Sequence, residues 1–66
     1  MKFVVALGYG ENVQSIDEFD TIDTVEAETA EEAAEMIFNG LEPGEEVNAI
    51  FQVRAEDDNE YEYFFF

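Results

Sequence analysis

Thr29-Ala30-Glu31-Glu32-Ala33-Ala34-Glu35-Met36-Ile37-Phe38-Asn39-Gly40 carries the strongest structural signal in the chain. A Thr followed three residues later by Glu, ahead of an apolar-periodic run, is a capping box. From Ala30, the residues Ala33, Ala34, Ile37 and Phe38 recur at helical spacing and share one side, while Glu31, Glu32 and Glu35 take the other. Asn39-Gly40 supplies the stop, with Gly40 expected at a left-handed cap. The segment reads as one helix of about three turns.

Working outward, Glu42-Pro43-Gly44-Glu45 has Pro and Gly where a type II turn prefers them. Val47, Ala49, Phe51, Val53 and Ala55 then alternate with Asn48, Ile50, Gln52 and Arg54, which predicts a strand over 47–55. Asp57-Asp58-Asn59 is a turn, and Glu60–Phe66 a final strand with Tyr61, Tyr63 and Phe65 on one face. Toward the N-terminus, Phe19–Ala27 reads as a strand in which Phe19, Val25 and Ala27 share a parity. Ile22 breaks that parity, and a bulge or a later strand start would explain it. Glu11–Glu18 is polar and ambiguous. Phe3–Leu7 is a buried strand bounded by the turn Gly8-Tyr9-Gly10.

The fold class is therefore α+β: a single ββαββ domain over residues 1–66, a four-stranded sheet with one helix on one face. Phe3–Leu7 and Tyr63–Phe66 are apolar on both parities, which favours them as central neighbours. That makes them parallel neighbours in strand order 2-1-4-3, as in the ubiquitin-like β-grasp, with a plain 1-2-3-4 sheet as the alternative. One helix covers one face, so Phe64 and Phe66 would lie with Val4 and Ala6 on the uncovered face. Either a homodimer or docked partner covers them, or the loop Glu11–Glu18 folds over.

Composition removes most chemistry. The chain has 66 residues with 18 Asp plus Glu, 2 Lys plus Arg, no His and no Cys, for a formal net charge of -16. Without Cys there is no disulfide framework, thiolate metal site or thiol nucleophile. Without His there is no near-neutral imidazole, and Ser15, the single Ser, has no base to activate it. Paired carboxylates suit glycoside hydrolysis, but a chain this short with one helix does not readily build the cleft. Asp17, Asp20 and Asp23, or Asp57-Asp58-Asn59-Glu60, do not match a calcium loop, and no metal site is assigned. Gly8-Tyr9-Gly10 lacks the Lys and the following helix of a phosphate-binding loop. No catalytic residue, cofactor or metal is expected. Direct nucleic-acid binding and an anionic membrane surface are excluded, because Lys2 and Arg54 are the only cations. The start Met1-Lys2 followed by Phe3–Leu7 is too short an apolar run for a signal peptide, so a cytoplasmic location is expected. An apolar fraction of 47% argues for a folded core rather than disorder.

The charge itself remains to be explained. Duplex DNA carries one charge per roughly 1.7 Å, so 16 charges correspond to about 27 Å of duplex. A compact chain of this length has a diameter of about 28 Å. Ordinary solubility needs a net charge of only about 2 to 8. Glu60 and Glu62 would stand about 6.8 Å apart on a strand, and Glu31 and Glu35 about 6 Å apart on the helix. Glu28, Glu31 and Glu32 sit at the positive helix end. Asp57 and Asp58 extend the Glu60 row, and Asp17, Glu18 and Asp20 supply another patch.

In size, sign and compactness the whole chain resembles the phage-encoded acidic DNA-mimic inhibitors, the small anti-CRISPR and anti-restriction proteins. These share charge rather than a motif. The resemblance implies a stoichiometric inhibitor, not an enzyme, acting in the host cell cytoplasm. Its partner would be a basic DNA-binding complex, a CRISPR-Cas effector or a restriction-type enzyme, plugged where DNA should enter. The implied phosphate surrogates are Asp17, Glu18, Asp20, Glu28, Glu31, Glu32, Glu35, Asp57, Asp58, Glu60 and Glu62. Two alternatives stand beside it: a β-grasp-like adaptor for a basic protein partner, and a halophilic small acidic protein. The 13 Glu against 5 Asp and the ten aromatics fit salt adaptation less well.

Overall fold

The computed structural model describes residues 1–66 and contains four strands, one α-helix and one short 3-10 turn. Strand β1 is Lys2–Tyr9, β2 Asp20–Glu26, β3 Ala49–Ala55 and β4 Glu62–Phe65, with helix α1 at Ala30–Asn39 between β2 and β3. The strands form one sheet in the order β2-β1-β3-β4, every neighbouring pair antiparallel. The ββαββ class holds, but the strand order is neither the β-grasp order nor the sequential one.

Burial explains the difference. A central strand must bury both of its faces, and β3 does so: Phe51 toward the helix is 0% exposed and Ile50 on the opposite side 1%. The apparent alternation of β3 concealed Ile50 among Asn48, Gln52 and Arg54. Strand β4 leaves most of its aromatic surface exposed and takes the edge. Because β3 meets β1 in antiparallel register, Leu7 pairs with Phe51 and Val5 with Val53.

Helix α1 starts at Thr29, whose Oγ1 accepts the Glu32 backbone N–H at 3.1 Å. Only this half of the capping box forms. The helix ends without a left-handed residue: Gly40 has φ -90°, and the last turn tightens through Gly40 N–H to Ile37 O and Leu41 N–H to Phe38 O. Ala33 and Ala34, both 0% exposed, bring the helix down onto β3, β1 and β4. Phe3, Val5, Leu7, Ala27, Ala49, Phe51 and Val53 complete that core, with Ile37, Phe38 and Phe64 packed at its margin. The Glu42–Glu45 turn forms as expected, with Gly44 at φ 97° and Glu45 N–H bonded to Glu42 O.

The face assignment of the last strand is reversed. Phe64 lies cross-strand from Phe51, and Phe66 sets its ring 5.7 Å from Phe51, so both belong to the helix side. Tyr63 and Phe65 pair with Gln52 and Ile50 and lie on the other face, together with Val4 and Ala6.

The parity break at Ile22 is a β-bulge. Val5 pairs with Asp23 and Ala6 with Thr21, leaving Ile22 as the extra residue. The bulge turns Phe19 away from Val25 and onto the open face, where its ring meets Tyr63 at 5.7 Å. The connection 11–18 contains the 3-10 turn Val13–Ser15 and also folds toward this face. Its Ile16, with Phe19, lies over Gly8, where a Cβ would come within 2.8 Å of Ile16 Cγ2 and 2.9 Å of Phe19 Cδ2. Gly8 is thus a strand residue needed for close approach, not part of a turn. No helix is long and apolar enough to cross a membrane.

Candidate functional site

All 18 carboxylates are exposed, and no polar or charged side chain is buried. A single ion pair exists, between the Met1 amine and Glu26 Oε1 at 3.0 Å. The guanidinium of Arg54 is spent on backbone: its Nη1 donates to the carbonyls of Ala55, Glu56 and Asp58 at 3.2, 2.9 and 3.2 Å. Neither Lys2 nor Arg54 pairs with a carboxylate. Almost the entire formal charge therefore faces solvent uncompensated.

The topology sorts these charges to the two ends of the sheet. Strand β2 delivers the chain to the Lys2 end of β1, where α1 begins, and the β3–β4 connection returns to that same end. This end collects Glu28, Glu31, Glu32, Asp57, Asp58, Glu60 and Glu62. There Glu31 and Glu62 line one open groove of about 520 Å³ with Thr29, Ala30, Tyr63 and Phe64. Glu62 is shared with a smaller neighbouring groove of about 180 Å³ that contains Asp58, Glu60 and Arg54. Asp17, Glu18 and Asp20 gather at the Tyr9 end, around a groove of about 450 Å³ floored by Leu7, Gly8 and Ile16. Glu35 lies one turn further along the helix than Glu31, between the two ends. An eight-residue strand separates the ends by about 24 Å.

The expected anion row along the last strand is broken. Strand β4 starts at Glu62, so Glu60 lies in the preceding connection, its N–H held by Asp58 Oδ1 at 3.1 Å. Asp58 is occupied as a turn former, accepting the Asn59 N–H as well. Nowhere do three carboxylates converge as ligands for a cation. Ser15 is likewise engaged locally, its Oγ donating to Asn12 O at 2.7 Å within a capping box of the 3-10 turn.

Two features of the site depend on tertiary contacts. Glu11, Glu42, Glu45 and Glu46 add to the Tyr9 end, since Gly10 N–H bonds Asn48 O and ties the 42–48 turn to the end of β1. The aromatic edge of β4 shows Tyr63 and Phe65 on the face opposite the helix, where Phe19, turned there by the bulge at Ile22, meets Tyr63. Comparison with protein-family models, with curated proteins and with solved structures finds no match to this chain.

Proposed function

We propose that this protein is a stoichiometric, non-catalytic inhibitor that imitates the charge of nucleic acid. It would block the DNA-binding cleft of a host defence complex, with a CRISPR-Cas effector as the first choice of target. The observation that carries this reading is density of uncompensated charge. The body extends 29 × 24 × 15 Å and carries a net charge of -16. A 29 Å length of duplex carries about 17 charges. Keeping such charge unpaired costs stability through self-repulsion, so its retention calls for a function.

The arrangement suits a clamp-like cleft. Two acidic ends about 24 Å apart would engage two basic walls, rather than one continuous row. The Lys2 end is the richer in surrogates, with Glu31 and Glu62 sharing a groove.

The test is a mobility-shift competition in about 0.15 M salt, where surface charge is screened beyond about 8 Å. It uses a type I CRISPR surveillance complex, its target DNA and increasing amounts of this protein. Loss of the DNA complex, reversed by excess DNA and by Glu31→Lys with Glu62→Lys, is the expected result. No competition by the folded protein removes that target. Failure across CRISPR and restriction complexes alike removes the mimic reading.

A further inference from the structure

The two edges of the sheet are built differently. Strand β2 carries the devices that discourage edge pairing: a bulge at Ile22 and the carboxylates of Asp20, Asp23 and Glu26. Strand β4 has no bulge, no Pro and no Lys, and carries one carboxylate, Glu62, against three on β2. Its outer side is unpaired, as the last strand in the order. The side chains beside that free edge are aromatic: Tyr61, Tyr63 and Phe65 are 50%, 38% and 58% exposed. Tyr63 is further braced by Phe19 and by Gln52, whose Nε2 donates to its hydroxyl at 3.1 Å.

We infer that the free edge of β4 takes up an extended, arginine-bearing segment of a basic protein by strand addition. An unpaired edge offers N–H and C=O groups at alternate residues, which gives affinity without regard to sequence. Side chains on the added strand then meet Tyr63 and Phe65 on one face and Glu62 on the other. Arginine matches both, because its planar guanidinium stacks on aromatic rings and forks onto carboxylates. A second copy of this chain fits poorly, since each copy brings a net charge of -16 to the joint. This inference does not rest on nucleic-acid mimicry: Glu62 and Tyr63 also line the groove of the Lys2 end, but the contact runs through the backbone of the β4 edge.

The probe is a labelled eight-residue peptide with Arg at alternate positions and Val between them. Its counterparts carry Lys in place of Arg, or N-methyl groups at alternate amides in each of the two registers. Binding is read by fluorescence anisotropy and mapped by amide chemical shifts, with circular dichroism to confirm folding. Arg peptide binding is expected to exceed Lys peptide binding and to be lost in one N-methylated register. Shifts should concentrate at Tyr61–Phe66. Tyr63→Ala or Phe65→Ala should each weaken binding by about two- to fivefold, as for an exposed cation–π contact. Equal binding of all peptides, shifts spread over the acidic ends, or no binding at all would overturn the inference. So would a dimer of the protein in sedimentation without peptide, which would assign the edge to a second copy. Failure of the DNA competition leaves these outcomes unchanged, and the reverse also holds.

Discussion

The ring of Phe66 lies 4.9 Å from that of Phe38, and both rings reach Phe51, at 5.7 and 6.2 Å. This three-ring contact closes the core where the helix ends, joining α1, β3 and the residue following β4. Phe66→Ala should cost about 1–2 kcal/mol although the residue is half exposed. A double-mutant cycle with Phe38→Ala in urea denaturation should show coupling of about 0.5–1.5 kcal/mol. Strict additivity would mean that the rings do not meet in solution.

Gly8→Ala should destabilise by about 1–3 kcal/mol, because the added methyl enters the space of Ile16 and Phe19. The same substitution should cost less in an Ile16→Ala background, where the contact at 2.8 Å is gone. Equal costs in both backgrounds would place Ile16 away from Gly8, leaving Phe19 as the neighbour that meets the methyl.

Arg54 is worth testing for a structural rather than an electrostatic role. Its Nη1 bonds the carbonyls of Ala55 at the end of β3 and of Glu56 and Asp58 in the connection to β4, and a lysine ammonium lacks that planar geometry. Arg54→Lys, which keeps the charge, should still cost about 1–2 kcal/mol. Hydrogen exchange at the Asp58 and Glu60 amides should accelerate. A neutral outcome for Lys with a loss for Ala would show that charge alone matters.

Salt should stabilise this protein. With one ion pair among 18 carboxylates, repulsion dominates its surface. Raising salt from about 0.01 to 0.15 M shortens the screening length from about 30 to 8 Å. A stabilisation of about 1 kcal/mol would raise Tm by about 4–8 °C. Thermal melts at these salts should show that rise while the protein remains folded in the dilute buffer. Unfolding in dilute buffer would instead favour salt adaptation as the reason for the acidity.

The sequence alone determined the elements and the amount of charge. Helix α1, the Pro43-Gly44 turn and the irregularity at Ile22 were legible because capping, turn preference and periodicity are local. The absence of His and Cys likewise excluded imidazole and thiol chemistry without any coordinates. The order of strands and the faces of their side chains were decided only by tertiary structure. The competition for the central place beside β1 is settled by which strand buries both faces. Ile50 at 1% exposure won it for β3, and Phe65 at 58% lost it for β4. The bulge at Ile22 moved Phe19 to the open face by one residue of register. The same ordering divided the carboxylates between two ends of the sheet and left an aromatic edge beside Glu62. Burial and register are properties of the packed sheet, and no single segment carries them.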